Sequence, residues 1–265
     1  MKVIIIGGNR FVGKLLAYQL SLYSHIDITV INRSGTGPDN CTLIKCDRNT
    51  KEFKQQLKNI APDIVIDMCL YNLNQFNSIE SLIEQDNLKK YIFISSIASK
   101  YKSFGKYGIE KQLLEVAIKN SNLPYIILKP TYIIGEDDHT GRMVSYINNL
   151  LKSNKILVEG NGNELINFVD VYDVCSIIYQ LINSDLINKE YEVGCNEMTS
   201  LNDLIYRLSS ITKTEPNIQY NAKDSSYANT KCFAINFKIK QDMNYSFIDF
   251  NKTLNRICNS YENRN

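Results

Sequence analysis

Short apolar runs alternate with longer amphipathic stretches through the first 130 residues. The apolar runs are rich in β-branched residues and predict strands at Val3–Ile6, Ile28–Ile31, Leu43–Cys46, Ile64–Asp67, Tyr91–Ile94 and Tyr125–Leu128. Stretches with helical periodicity lie between most of them, clearest at Phe11–Leu22, Lys51–Ile60, Leu73–Glu84 and Tyr107–Lys119. Strands that are apolar on both faces and alternate with helices indicate a doubly wound parallel sheet, with its ligand site beyond the carboxyl ends of the strands.

The pattern changes after Pro130. A polar loop precedes a predicted helix, a Gly-Asn-Gly turn follows, and the remaining predicted elements are one short strand and two helices: Arg142–Leu151, Ile166–Val169, Val171–Ile182 and Leu201–Ile211. The last 50 residues are polar and weakly patterned. We therefore expect residues 1–130 to form a dinucleotide-binding domain, and residues 131–265 to form a small α/β substrate cap interleaved with it.

Composition narrows the class of protein. The chain has 265 residues, 44% of them hydrophobic and 22% charged, which is typical of a globular protein and excludes a disordered chain. A net charge of +2 argues against a nucleic-acid partner, and no apolar run reaches the length needed to span a membrane. Seven cysteines without a C-x-x-C pair, beside two histidines, predict no metal site and reduced thiols in a cytoplasmic protein.

A glycine-rich turn follows the first predicted strand. Glycines let the backbone approach a pyrophosphate and turn sharply into a helix whose N-terminus favours anions. The position of the turn, between the first strand and the first helix, favours a dinucleotide site over a plain connection. The candidate cofactor-binding residues here are Gly7, Gly8, Asn9, Arg10, Phe11, Val12 and Gly13.

The end of the second strand bears on the choice of cofactor. An NAD site usually carries a carboxylate there, whereas this chain has Asn32 and Arg33. A guanidinium suits a 2′-phosphate, and Arg10 could face the same group from the turn. We therefore favour NADP(H) over NAD(H), with two solvent-exposed arginines as the alternative. After the third strand, Asp47 could bind the adenine amino group or cap the next helix.

A serine, a tyrosine and a lysine form the candidate catalytic set. Ser96 ends the fifth predicted strand, while Tyr107 and Lys111 are four residues apart and share one helix face. A nearby lysine is expected to lower the pKa of the phenol, which could then exchange a proton with a substrate oxygen while hydride moves at carbon. The alternative is a surface pair on an amphipathic helix.

These motifs resemble the short-chain dehydrogenase/reductase superfamily, in its extended branch of NAD-dependent epimerases and dehydratases. The resemblance covers residues 1–210 and rests on the glycine-rich turn, the Tyr-Lys pair and five further segments: Asp47-Arg48, Asp63–Asp67, Ser95-Ser96, Leu128–Gly135 and Phe168–Val174. The Gly-Gly-x-Arg-Phe-x-Gly form is similar to a subgroup that includes chloroplast stem-loop-binding proteins.

The resemblance implies a Rossmann fold and a role for each matching residue. It implies that Tyr107 is the acid/base, that Lys111 is its partner and a ribose ligand, and that Ser96 holds the substrate oxygen. It also implies that five residues outside the turn line the cofactor: Arg48, Met68, Cys69, Pro130 and Thr131.

Two departures from the family pattern affect the substrate site. Ser96 and Tyr107 are only 11 residues apart, and extended members usually carry a longer substrate-contacting loop between them. This leaves open whether Ser95, Ser96 or Ser99 is the catalytic serine. The second departure is at Leu165–Phe168, which has no arginine for a substrate diphosphate, although Arg142 could supply a cation.

The main hypothesis is an NAD(P)(H)-dependent oxidoreductase or epimerase acting at a secondary alcohol or ketone carbon of a small, polar, sugar-like substrate. The alternative is a non-catalytic NADP-sensing or RNA-associated protein on the same scaffold. Dehydration ranks lower, because Ile97-Ala98 provides no additional acid or base. A homodimer through the helices Leu73–Glu84 and Tyr107–Lys119 is consistent with the family.

Overall fold

The computed structural model describes residues 1–80, 82, 87–153, 155–221 and 233–264. The chain divides into two compact units. Unit 1 contains residues Met1–Pro130 and Val174–Glu192, and unit 2 contains Thr131–Asp173 and Val193–Asn265. The chain therefore leaves the first unit and returns to it before the second unit is completed.

Unit 1 is built on a seven-stranded sheet within the described residues. Its strands are β1 (Lys2–Ile6), β2 (Asp27–Asn32), β3 (Thr42–Lys45), β4 (Ile64–Asp67), β5 (Lys90–Ile94), β6 (Tyr125–Pro130) and β11 (Lys189–Val193). The order β3-β2-β1-β4-β5-β6, parallel throughout, is that of the predicted doubly wound Rossmann fold, and β11 extends the sheet beside β6. The order reverses between β1 and β4, which is the usual place for a ligand.

The helices of unit 1 begin and end close to the predicted positions. They are α1 (Phe11–Ser21), α2 (Lys51–Ile60), α3 (Leu73–Glu80), α4 (Gly105–Asn120) and α6 (Val171–Ile182), the last of which begins in unit 2. The predicted end of the third helix at Glu84 lies outside the described residues. Strand residues such as Ile4, Val65 and Phe93 form a core with α2 and α4, in agreement with a sheet covered by helices.

Unit 2 combines short strand pairs with helices. Its strands are β7 (Tyr132–Ile134), β8 (Lys155–Glu159), β9 (Leu165–Ile166), β10 (Phe168–Asp170), β12 (Thr199–Ser200) and β13 (Asn217–Asn221). They pair as β7 with β10, β8 with β13 and β9 with β12. The strand predicted at Ile166–Val169 is two strands, because Asn167 interrupts it and bonds through its side-chain amide to the carbonyls of Cys195 and Glu197.

The C-terminal region is more ordered than its composition predicts. Besides α5 (Arg142–Lys152) and α7 (Leu201–Thr212), unit 2 contains α8 (Phe237–Met243) and α9 (Phe250–Glu262). The buried residues of α9 recur at helical spacing, at Phe250, Leu254, Ile257 and Cys258, and complete the core of unit 2. The spacing of these apolar residues could have predicted α9 from the sequence, but the many Asn and other polar residues between them obscured the pattern.

The cysteines and the membrane prediction can be compared with the described residues. Six of the cysteines are free thiols, and three of these are buried: Cys175, Cys195 and Cys258. Cys232 lies outside the described residues. In the part of the chain that the structure describes, no helix is long and apolar enough to cross a membrane.

Candidate functional site

The turn between β1 and α1 holds the backbone in a conformation that only glycines allow. Gly7 has a φ of +92°, and a Cβ at Gly13 would lie 2.5 Å from the carbonyl oxygen of Gly7. Arg10 is the N-cap of α1, and its side chain makes no capping hydrogen bond. The first N–H groups of the helix are therefore not capped by this side chain and remain suited to an anion such as a pyrophosphate. Phe11 and Val12 form the first turn of the helix.

Asn32 closes the loop that follows β2. Its side-chain oxygen accepts hydrogen bonds from the backbone of Ser34 and Gly35, and its amide donates to the carbonyl of Thr36 at 2.7 Å. Asn9, in the glycine-rich turn, donates to the Ser34 hydroxyl at 3.0 Å. The side chain of Asn32 thus shapes this loop, and the arginines at positions 10 and 33 are exposed.

The side chain of Arg48 is bound by another residue of unit 1, and its assignment to the cofactor stays a prediction. The guanidinium is buried and donates two hydrogen bonds to the Asp67 carboxylate, at 2.8 and 2.9 Å. The hydroxyl of Tyr91 donates to the same carboxylate at 3.0 Å. Although burial disfavours the charged form, Asp67 keeps the pKa of Arg48 above its ordinary value. Asp67 ends β4, and no local sequence pattern indicates a pair 19 residues apart.

Asp47 forms a turn of its own. Its carboxylate accepts from the backbone and side chain of Asn49, while Thr50 is the N-cap of α2. Asp47 is therefore not the N-cap of α2, and its interpretation as a helix cap is wrong. Its binding of the adenine amino group stays a prediction.

Met68 and Cys69 lie beside the glycine-rich turn. The backbone N–H of Met68 donates to the carbonyl of Ile6 at 3.0 Å, which joins the end of β4 to the end of β1. A Cβ at Gly7 would lie 3.2 Å from the sulfur of Cys69. Burial is the main reason that the pKa of the Cys69 thiol rises to about 11, so the thiol stays protonated at neutral pH.

Tyr107 and Ser96 lie together at the end of β5. Tyr107 is in the first turn of α4 and is about half exposed (48%), and its hydroxyl lies near that of Ser96, which acts to lower its pKa. The Ser96 hydroxyl also accepts from the N–H of Ala98 at 3.2 Å, which caps the short 3-10 turn Ile97–Lys100. The structure thus joins the predicted serine and tyrosine across the shortened segment.

The other two serines make different contacts. Ser95 is buried and donates to the Glu115 carboxylate at 2.5 Å. The hydroxyl of Ser99 is buried and has no hydrogen-bond partner among the described residues. Of the three serines, Ser96 is the one whose hydroxyl meets Tyr107.

Lys111 is buried beneath Tyr107. Its ammonium donates to the backbone carbonyls of Leu70 and Ile94, at 2.9 and 3.0 Å, and lies 6.0 Å from the centroid of the Tyr107 ring. Burial lowers the pKa of Lys111 to about 8.

The expectation that the lysine lowers the pKa of the phenol is wrong for this structure. Burial raises the pKa of Tyr107, and the nearby Ser96 hydroxyl opposes that rise. The reason is that the Lys111 ammonium is bound to carbonyls and does not donate to the phenol.

Pro130 and Thr131 follow a buried ion pair. Pro130 ends β6, and the N–H of Thr131 donates to the carbonyl of Val193 at 2.9 Å. The Thr131 hydroxyl is buried and has no hydrogen-bond partner among the described residues. Just before them, the ammonium of Lys129 lies 3.0 Å from the carboxylate of Glu115. Sequence reasoning missed this pair, although Glu115 follows Lys111 by one further helical turn.

Two arginines of unit 2 are held by neighbouring groups. The guanidinium of Arg142 lies 4.9 Å from the centroid of the Tyr132 ring and 4.0 Å from the Asp138 carboxylate. Arg256 donates to both oxygens of Asp170 at 2.8 Å and to Glu136 at 2.6 Å. Of the two, Arg142 has the looser contacts.

Comparison with known proteins agrees with the glycine-rich turn and the strand order. The model of the NAD dependent epimerase/dehydratase family matches residues 3–194 of this chain. The CDP-abequose synthase of Yersinia pseudotuberculosis is 24% identical over 228 residues, which cover 76% of this chain and 78% of the relative.

Solved structures share the fold. The UDP-glucose 4-epimerase of Thermotoga maritima, solved with UDP-glucose, superposes with a TM-score of 0.85 at 16% identity and covers 100% of this chain and 99% of its own. The dTDP-glucose 4,6-dehydratase of Bacillus anthracis, solved in complex with NAD, gives a TM-score of 0.86 at 15% identity, with 99% and 97% covered. At these identities the similarity establishes the fold alone.

Proposed function

The chain belongs to the NAD dependent epimerase/dehydratase family, and on that premise we propose that it moves hydride at a secondary alcohol or ketone carbon of a sugar-like substrate. The observation that carries the proposal is the meeting of Tyr107 and Ser96 at the carboxyl end of β5, above the buried Lys111. The proteins it is similar to are sugar-nucleotide enzymes, and none of them favours the non-catalytic alternative.

The glycine-rich turn fits a dinucleotide. A side chain at Gly13 would collide with the Gly7 carbonyl, and one at Gly7 would be strained by the φ of +92°, so the turn keeps its backbone open for a pyrophosphate at the start of α1. We assign the contact to Gly7, Gly8, Asn9 and the first turn of α1, with Met68, Cys69, Pro130 and Thr131 along the rest of the cofactor. When bound, the nicotinamide would supply or accept the hydride.

The protein's own groups handle the proton and the orientation of substrate. The Tyr107 hydroxyl would give a proton to the substrate oxygen or take one from it, while the Ser96 hydroxyl holds that oxygen. The Lys111 ammonium lies beneath the Tyr107 ring and is the residue that would hold the ribose of a bound cofactor, where its positive charge would favour the phenolate. Tyr107 is about half exposed, so a substrate that binds there would have its reacting carbon beside the proton carrier.

We further propose a preference for NADP(H). Support comes from the absence of a carboxylate at the end of β2, where Asn32 instead builds the loop, and from the two exposed arginines, Arg10 and Arg33. A guanidinium matches the geometry and charge of a 2′-phosphate. The dTDP-glucose 4,6-dehydratase of Bacillus anthracis was solved with NAD. A preference for NADP(H) would therefore distinguish this chain from that enzyme.

A fluorescence titration with NADPH and NADH tests the cofactor preference. We expect Arg33→Ala to weaken NADPH binding about 10- to 100-fold, because a charge-assisted hydrogen bond is lost, and to leave NADH binding within about twofold. Arg264→Ala, which removes an exposed arginine paired with Asp137, is the matched control and should change neither affinity. Tighter binding of NADH by the parent protein would contradict the preference.

The Tyr107→Phe variant tests the catalytic assignment. The relatives suggest a nucleoside-diphosphate sugar as the substrate class, so a panel of these sugars is incubated with the protein and both cofactors. We expect Tyr107→Phe to lower kcat by at least about 100-fold on the substrate that the parent converts, since the proton carrier is removed, while cofactor binding is retained. Full turnover by this variant would refute the role of Tyr107.

We also propose a homodimer formed through α3 and α4. Support comes from three apolar side chains of α4 that are about half exposed: Ile109, Leu113 and Val116. Exposed apolar stripes of this kind are typical of surfaces that pair with another protein.

A further inference from the structure

Three residues on one face of α4 each contact the end of β5. Tyr107, Lys111 and Glu115 are spaced four apart and therefore lie above one another on the helix. Lys111 bonds to the carbonyl of Ile94 and Glu115 to the hydroxyl of Ser95, while the hydroxyl of Tyr107 lies near that of Ser96. Two consecutive residues at the end of the strand are thus held by the helix that carries Tyr107, and the next residue, Ser96, faces Tyr107.

Glu115 makes the most complete of these contacts. One oxygen of its carboxylate accepts from Ser95 at 2.5 Å, and the other lies 3.0 Å from the Lys129 ammonium. All three side chains are buried. Lys129 belongs to β6 and also lies 3.0 Å from the Glu190 carboxylate. Glu115 therefore joins α4 to the ends of both β5 and β6.

The contacts of Ser95 determine where the next residue points. Its backbone N–H donates to the carbonyl of Leu128 at 2.8 Å, and its hydroxyl is fixed by Glu115. Ser96 follows Ser95 directly in extended backbone, so fixing Ser95 fixes the point from which the Ser96 side chain projects. Ser96 is the residue that meets Tyr107.

We propose that Glu115 is a positioning residue, which holds Ser95 and thereby keeps the Ser96 hydroxyl beside that of Tyr107. The inference rests on the proposed function, because Ser96 and Tyr107 are the residues assigned there to substrate oxygen. Stability alone does not account for the arrangement, since the desolvation of a buried ion pair largely offsets its attraction. A carboxylate with both oxygens bonded instead fixes directions that an apolar side chain could not.

Two variants remove the contact in different ways. Ser95→Ala deletes the hydroxyl and leaves the Glu115–Lys129 ion pair in place, so it is expected to fold. Glu115→Gln keeps the shape of the side chain and removes its charge. Lys119→Gln is the matched control: Lys119 is on the same helix and bonds to Glu190, but it does not touch the oxygens of Glu115. Circular dichroism and thermal unfolding identify the variants that fold.

The first measurement is the titration of Tyr107 itself. Protein labelled with carbon-13 at the tyrosine Cζ is titrated by NMR, and the Tyr107 signal is identified by its loss in Tyr107→Phe. The nearby Ser96 hydroxyl favours the phenolate, so Ser95→Ala and Glu115→Gln should move the midpoint to higher pH, while Lys119→Gln leaves it unchanged. A variant that is less stable but keeps Ser96 beside Tyr107 would show no shift in the titration midpoint of Tyr107.

The second measurement is steady-state kinetics on the substrate that the parent converts. Misplacement of a catalytic group by about 1 Å can cost about 100-fold in rate, so we expect kcat to fall by up to about that factor with KM within about twofold. A midpoint and a kcat equal to those of the parent in folded Ser95→Ala and Glu115→Gln would overturn the inference, even if Tyr107→Phe is inactive. A shifted midpoint in a protein that transfers no hydride would instead refute the proposed function and leave the positioning role standing.

Discussion

At the scale of single residues, Lys111 is held in a state that costs free energy. The ammonium is buried among Tyr71, Phe93 and Tyr107 and has two carbonyl partners. Burial lowers its pKa from 10.5 to about 8, so the unfolded chain binds more protons than the folded one between these values. The penalty is fully present below pH 8 and fades as pH rises from about 8 to 10.5.

We therefore predict the effect of Lys111→Met on stability. The free energy of unfolding of the parent should rise relative to that of the variant as pH increases from 7.5 to 10, because the parent loses its buried charge and the variant has none. Urea unfolding at several pH values, without cofactor, measures the difference. A difference that is independent of pH would contradict the lowered pKa.

At this scale the sequence predicted the positions of residues on their elements better than their hydrogen-bond partners. The four-residue spacing of Tyr107 and Lys111 was enough to place both on one face of a helix. The sequence could not show which of three serines within five positions is the candidate catalytic serine. That choice depends on Glu115, which lies on α4 and accepts the hydrogen bond of the Ser95 hydroxyl. The bond between Arg48 and Asp67 could not be predicted, because the two residues are 19 positions apart and such long-range pairs leave no local pattern.

At the scale of elements, α4 has two faces with different properties. Tyr107, Lys111 and Glu115 face the sheet and the site, while Ile109, Leu113 and Val116 lie on the opposite face and are about half exposed. A second copy of the chain could cover this stripe without blocking Tyr107.

We predict that Leu113→Glu prevents dimer formation. A charge at the centre of the stripe would have to be buried in a paired helix interface, which is strongly unfavourable. Sedimentation velocity should show a monomer for this variant and a dimer for the parent. Leu22→Glu, at a more exposed apolar residue next to α1, is the control and should remain dimeric. A dimer that persists in Leu113→Glu would place any interface elsewhere.

The elements of the first 130 residues were predictable because each was bounded by its own local signal. The strands are apolar on both faces, and glycines or polar residues mark their ends, as at Ile6-Gly7. The ends of elements in unit 2 were less certain. Asn167 looked like part of a strand, and its role depends on the distant carbonyls of Cys195 and Glu197.

At the scale of the whole molecule, a buried carboxylate and a partly buried one make opposite contributions to stability. Asp173 in unit 2 is fully buried and accepts hydrogen bonds from the Tyr245 hydroxyl and the Ile248 N–H. Burial outweighs these bonds and raises its pKa to about 6. Glu190 in unit 1 is also desolvated, but its bonds to Lys119 and Lys129 outweigh this and lower its pKa to about 2.

The signs of the two contributions follow from proton linkage. For Asp173 the folded chain binds more protons than the unfolded chain between pH 3.8 and about 6, so its penalty is present above pH 6 and fades as pH falls. For Glu190 the unfolded chain binds more protons between about 2 and 4.5, so its contribution is present above pH 4.5 and is lost as pH falls.

We predict that Asp173→Asn and Glu190→Gln respond to pH in opposite directions. Asparagine can accept both hydrogen bonds without a charge, so the free energy of unfolding of Asp173→Asn relative to the parent should be higher at pH 7.5 than at pH 4.5, by up to about 3 kcal/mol. Glu190→Gln should show its largest loss relative to the parent near neutral pH and a smaller one below pH 4.5. Urea unfolding of the three proteins across this range measures both. Parallel pH profiles for the two variants would mean that the carboxylates do not differ in pKa, and that the contacts from Tyr245 and Ile248 compensate fully for the burial of Asp173.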